Sequence, residues 1–191
     1  MKITRELKDL VKAWFIISLA FAIAFSRGRL FDPAILVVFL SSAFTVGLGF
    51  ILHELAHRYF ARKYGAHAEF YANNTMLGLA LLFSFFGFIF AAPGAVVIRG
   101  YLTKRKYGHI SLAGPAMNIL LGIVFLVIAL FIPESSVVTK PGMMINFWLA
   151  LFNMLPFPIF DGFKVLRWNK IVYGIVLGFC VVLVFGYGLI I

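Results

Sequence analysis

The chain has 191 residues, 63% of them hydrophobic and 13% charged, and a formal net charge of +10; its mean hydropathy is +1.02. Soluble domains average about 45–50% apolar and about 25% charged residues, so this composition excludes an ordinary soluble protein and points to an integral membrane protein. The charge then has a plain meaning, since basic residues flanking apolar runs set membrane orientation, and it gives no reason to invoke nucleic acid.

At the amino terminus, Lys2, Arg5, Lys8 and Lys12 precede a short apolar run, Ala13 to Ser26. One reading is a signal peptide, with "AIA" at 22–24 as its cleavage site. The other is a first span lengthened by a snorkelling Lys12, with Arg27 and Arg29 in a short loop behind it. Five longer charge-free runs follow: Pro33 to Leu52, Phe70 to Ile98, Ile110 to Pro133, Pro141 to Phe160 and Ile171 to Ile191. Each is long enough to cross a bilayer as a helix. The reading adopted is an α-helical polytopic membrane protein of about five transmembrane helices, roughly 10–26, 33–62, 110–132, 143–160 and 171–190. All 191 residues form a single transmembrane domain with a core at about 33–164.

The segment 66–100 decides the topology. With it kept on one side, 14 basic residues lie on the amino-terminal side and 3 on the other, which places the amino terminus in the cytoplasm of a multi-pass cell-membrane protein. If 76–98 crosses as a sixth helix, the split becomes 8 against 9 and the bias disappears. Locally, Asn73-Asn74 and Pro93-Gly94 read as turns, and the β-branched "AVVIRGYL" reads as a strand. Non-helical backbone at membrane depth has to be buried in protein or line a cavity. The segment is therefore expected to be a re-entrant or interfacial β-rich element.

Of seven acidic residues, Glu6, Asp9, Asp32, Glu69 and Glu134 fall in tails or loops, whereas Glu54 lies inside the second span and Asp161 ends the fourth. Ionisable groups at membrane depth are expensive and usually functional. Glu54 belongs to "HELAH", residues 53–57. Residues four apart share a helical face, so His53 and His57 can reach one metal ion, with Glu54 beside them as a base. This is the His-Glu-x-x-His arrangement of zinc hydrolases. A catalytic zinc needs a third protein ligand. In the five-span topology Asp161 ends its span at the same cytoplasmic depth as the histidine pair, and one zinc per chain is expected. His67 and His109 lack ligand spacing and read as surface residues.

The remaining features have plain readings. Gly114, Asn118 and Gly122 share a helical face, which suits close packing with Asn118 as an interhelical hydrogen bond; substrate contact is the other reading of Asn118. Pro156 and Pro158 should break the helix before Asp161. Asn153 either ties down that broken helix or donates to an oxyanion. Gly174 and Gly178 read as a packing face, Trp14, Trp148 and Trp168 as interface anchors, and the single Cys180 as a small packing residue.

"HELAH" at 53–57, "AGPAMN" at 113–118 and "NMLPFPIFDG" at 153–162 together resemble the site-2 protease family, intramembrane zinc metalloproteases. The last motif resembles that family's Asn-x-x-Pro-x-x-x-x-Asp-Gly signature at Asn153, Pro156, Asp161 and Gly162. The likeness runs from about Gly47 to Lys164. It implies zinc bound by His53, His57 and Asp161, Glu54 as general base, Asn153 near the active site, and membrane-associated β-structure after the zinc helix. The chain is expected to carry neither the PDZ nor the CBS domains of many relatives. The expected function is an intramembrane endopeptidase that cleaves transmembrane segments of membrane-protein substrates within the lipid bilayer, with oligomeric state undefined. Its rivals are a membrane protease with a glutamate as third ligand, for which neither Glu69 nor Glu134 is well placed, and a metal transporter or non-catalytic membrane protein.

Overall fold

A helix satisfies every backbone group of a long apolar run from within the run itself, and the computed structural model places helix over each of the five predicted ranges. It describes residues 4–27, 33–87, 89 and 93–186. Arg29 and Asp32 of the expected first loop, and the end of the last apolar run, lie outside the described residues. The helices are α1 (Arg5–Phe25), α2 (Ile35–Ser42), α3 (Leu48–Lys63), α4 (Asn74–Ser84), α5 (Lys104–Phe131), α6 (Ser136–Asn153), α7 (Asp161–Trp168) and α8 (Lys170–Gly186). A π-turn, Ala43–Gly47, joins α2 to α3. Strands β1 (His67–Ala72) and β2 (Gly94–Arg99) pair in a two-stranded sheet. Two stretches, Ile35–Lys63 and Lys104–Phe131, are long and apolar enough to cross a membrane; α8 is apolar but shorter.

The segment 66–100 departs from the β-rich expectation. It contains both strands, but an 11-residue helix, α4, lies between them. Asn73, read as part of a turn, is the N-cap of α4, its side chain accepting from the Met76 N–H at 3.1 Å. Asparagine serves turns and caps by the same local hydrogen bonding, so the dipeptide alone does not separate them. At 1.5 Å rise per residue, α4 is too short to cross a bilayer. The fourth range is also displaced: α6 ends at Asn153, before Pro156 and Pro158, and residues 154–160 are non-helical.

The chain divides into two compact units, residues 1–51 with 69–97 and residues 52–68 with 98–191. In the first, α1 buries Leu10, Ala13, Ile17 and Ala20, an apolar stripe at helical spacing that packs on α4 and the π-turn. Trp14 is no simple interface anchor. Its indole N–H donates to the Ala43 carbonyl at the start of the π-turn, at 3.1 Å. Gly47 is obligatory there, because a Cβ would lie 2.5 Å from Ser18 Oγ and 2.7 Å from the Trp14 ring. Strand β1 is secured by α1: the Phe70 N–H donates to Glu6 Oε1 and the Ala72 N–H to Asp9 Oδ2.

In the second unit, α5, α6, α7 and α8 enclose a core of Phe125, Met143, Phe147, Ala150, Leu151, Met154, Val165, Cys180 and Val184. Small residues on α5 admit rings from its neighbours. A Cβ on Gly108 would lie 2.4 Å from the Trp168 ring, and one on Gly122 would lie 2.3 Å from the Phe147 ring. Trp168 is thus a packing residue too. Gly174 and Gly178 do not behave as expected: nothing lies within 4 Å of a Cβ on either, since α8 packs through the face that carries Cys180 and Val184.

Two substitutions contrast these glycines. Gly122→Ala overpacks a core whose Phe147 is 1% exposed and should destabilise the protein by about 1–3 kcal/mol. Gly174→Ala meets open space and should be neutral or stabilising by up to about 1 kcal/mol, since alanine holds a helix better than glycine. Thermal unfolding of both variants in the same detergent checks the pair.

Candidate metal centre

The second unit brings together His53 and His57 of α3 and Asp161, the first residue of α7. Helical spacing puts the imidazoles on one face, with Nε2 atoms 3.0 Å apart and rings nearly perpendicular at 86°. Asp161 Oδ2 lies 3.3 Å from His53 Nε2 and 3.0 Å from His57 Nε2. All three residues are buried, at 6%, 8% and 7% exposure. Among the described residues this is the one cluster of three or more His, Cys, Asp or Glu side chains able to share a metal ion.

The donor set fits zinc on two grounds. His57 Nδ1 lies 2.7 Å from the Ile110 carbonyl. A carbonyl only accepts, so Nδ1 carries a proton, which leaves Nε2 as the nitrogen that can give up its proton to a metal ion. His53 Nδ1 lies 2.6 Å from Asn118 Oδ1, an oxygen that likewise only accepts. Two imidazole Nε2 atoms and a carboxylate oxygen therefore converge in a buried space, a donor set able to hold a cation. The spacing is also right: zinc at about 2.0–2.1 Å from tetrahedral ligands sets those ligands about 3.3 Å apart. The second ground is room. Gly114 of α5 faces the pair, and a Cβ there would lie 2.5 Å from both Nε2 atoms. Glycine at this position keeps the space in front of the lone pairs open.

Asp161 is divided between two tasks. Its Oδ2 faces the histidines, while Oδ1 accepts from Lys164 Nζ at 3.1 Å, one helical turn along α7. Gly162 lets this helix start where it does, because a Cβ there would lie 2.2 Å from the Met154 carbonyl oxygen. Glu54, adjacent to His53 on α3, is also buried, at 8% exposure.

The other residues singled out by sequence have different partners. Asn153 ends α6, half-buried, and its amide donates to the Leu149 carbonyl at 2.9 Å, within its own helix. Asn118 is fully buried and bonds both His53 and, through Nδ2, Asn146 Oδ1 at 3.0 Å. His67 is exposed on β1. His109 is half-buried rather than superficial: its Nδ1 lies 2.8 Å from the Tyr64 hydroxyl, and its ring meets Trp168 edge to face at 4.6 Å. Two residues were missed. Lys164 was visible as a cation three positions after Asp161 on a helix, and Asn146 as a lone amide inside an apolar run.

No family model and no solved structure matches this chain. Curated relatives do. The chain is 48% identical over 147 residues to "Putative zinc metalloprotease MJ0611" of Methanocaldococcus jannaschii, a match covering 74% of this chain and 76% of that protein. It is 30% identical to "Zinc metalloprotease MJ0392" of the same organism, over 61% of this chain and 30% of that longer protein. It is 28% identical to "Putative zinc metalloprotease YwhC" of Bacillus subtilis, over 72% of each. With this likeness and a buried His-His-Asp group able to hold one metal ion, the chain belongs to the zinc metalloprotease family of these relatives.

Proposed function

We propose that the protein is an intramembrane zinc endopeptidase of the site-2 protease type, cleaving transmembrane segments of membrane-protein substrates. The observation that carries this reading is the buried His53–His57–Asp161 group, two of whose members lie on a helical stretch long and apolar enough to cross a membrane. The cytoplasmic amino terminus and the five spans rest on the 14-to-3 distribution of basic residues and on the helices found over each predicted range.

In this proposal His53, His57 and Asp161 would hold the zinc. When bound, zinc supplies a Lewis acid that polarises a carbonyl and makes water acidic enough to be deprotonated near neutral pH. Glu54 takes the proton from the attacking water and delivers it to the leaving amine. Lys164 holds Asp161 Oδ1 so that Oδ2 alone faces the histidines. Asn153 already donates one amide hydrogen to Leu149; its second is the one available for an oxyanion. The substrate helix must unwind to be cut, and its extended strand pairs with the sheet by edge addition. Glu6 and Asp9 occupy N–H groups of β1, so β2 is the strand assigned to this role.

Glu54→Gln should keep zinc and lose at least about 100-fold in cleavage rate, the scale of general-base catalysis. A metal transporter would not depend on this residue, so metal uptake into vesicles and cleavage of a transmembrane substrate, measured side by side, separate the two. Asp161→Ala should lose stoichiometric zinc in metal analysis of the purified protein; retained zinc would remove Asp161 from the ligand set. Gly114→Ala should likewise deplete zinc, by filling the space before both Nε2 atoms. A proline in β2, such as Val97→Pro, should slow cleavage while zinc stays bound, and normal cleavage by that variant would rule out edge pairing.

A further inference from the structure

The second unit is lopsided in charge. Residues 52–68 and 98–191 carry eleven Lys and Arg against three Asp and Glu. Of those acids Glu54 and Asp161 are buried, and Glu134 lies past the far end of α5. The cations at the end of α3 and the start of α5 therefore face one another with little opposing charge. We propose that an anionic phospholipid docks at this junction, its headgroup phosphate bridging Lys63 and Lys106 and its acyl chain lying along α3. The inference rests on the membrane reading of the proposed function and needs neither zinc nor cleavage.

The two helix ends meet at Tyr64, whose hydroxyl lies 2.8 Å from His109 Nδ1. Two ammonium groups from different helices rest on one aromatic pair there. Lys106 Nζ lies 5.6 Å from the centroid of the Tyr64 ring, and Lys63 Nζ lies 5.8 Å from that of Phe60. The two rings are themselves 6.4 Å apart. Aromatic faces attract cations, so the rings hold both ammonium groups in place while like charge drives them apart. Among the described residues no carboxylate pairs with either lysine. Lys63 is exposed and Lys106 half-buried, which leaves both open to an anion from outside.

The ground next to Lys63 decides which anion. An open groove of about 590 Å³ is lined by Leu55, Arg58, Tyr59, Arg62 and Lys63 along one face of α3. Lys63 stands at its end, with its ammonium also 6.0 Å from the Tyr59 ring. Leu55 and Tyr59 supply apolar surface two turns and one turn back, on a helical stretch long and apolar enough to cross a membrane. Free phosphate has no use for that surface, whereas a lipid chain does. A lysine binds phosphate as a point charge, and each basic residue near an anionic lipid surface contributes about fivefold in affinity.

The test uses the full chain in detergent, titrated with phosphatidylglycerol or phosphatidylcholine and read by native mass spectrometry. Wild type should retain phosphatidylglycerol in preference. Lys63→Gln with Lys106→Gln should weaken that binding about 10–30-fold, two cations at the scale above. Lys104→Gln with Arg105→Gln removes the same charge from exposed neighbouring positions and should change it by no more than about twofold; an equal loss there overturns the bridging site. Thermal unfolding separates counter-charge from mere damage. Phosphatidylglycerol should raise the midpoint of wild type and of Lys63→Arg with Lys106→Arg, and leave the glutamine pair unmoved. In phosphatidylcholine the glutamine pair should be at least as stable as wild type, and earlier unfolding overturns the repulsion argument. Displacement of the lipid by inorganic phosphate overturns the lipid assignment. A chain recovered without detergent overturns the membrane reading and this inference together, whereas a detergent-requiring chain with no lipid preference overturns this inference alone.

Discussion

Three electron-pair donors in a dry space repel one another unless a cation or a proton lies between them. His53 Nε2, His57 Nε2 and Asp161 Oδ2 lie within 3.3 Å of each other, and each belongs to a side chain less than a tenth exposed. The surrounding structure exists to impose that convergence. A carbonyl and an amide on α5 hold the far nitrogens of the rings, and an ammonium on α7 holds the far oxygen of the carboxylate. Each ligand is gripped from behind, so that its front is left bare. Nothing comparable is needed where a single buried polar group merely finds one partner.

Helix α5 is the part on which this grip depends. It combines a hydrogen-bond acceptor at Ile110, an amide at Asn118 and glycines at 108, 114 and 122. The glycines receive the Trp168 ring, the two imidazoles and the Phe147 ring respectively. A helix with side chains at those positions would stand off from its neighbours and lengthen the hydrogen bonds that orient the histidines. Packing and chemistry are thus set by the same close approach.

Much of this was legible in the sequence, for identifiable reasons. The His-Glu-x-x-His spacing is a local helical property, and the ranges of apolar helix follow from run length. Asp161 was reached from the residues through the charge bias of the expected topology, an argument about the whole chain, and again through the motif that ends in Asp161-Gly162. Asn146 was overlooked because a hydrogen-bond partner across a helix interface is decided by tertiary packing, and Lys164 because its pairing with Asp161 needs the short helix α7 that begins there. Helix α4 was hidden behind an asparagine pair that serves a turn or a cap equally well. The open face of Gly174 and Gly178 shows the converse limit, since a small-residue pattern states that close packing is possible and says nothing of whether a partner is present.

Asp161 opens α7 and shares its second oxygen with Lys164. Helix amino termini carry partial positive charge and stabilise a carboxylate placed there. As a ligand, Asp161 would therefore have part of its electron density drawn off from two directions. It would be a weaker donor than a carboxylate supported only by neutral groups, and a cation it helped to hold would retain more of its own charge. The start of an eight-residue helix would thereby trade tightness of retention for electrophilic strength, and place that choice on the one proposed ligand that α3 does not supply.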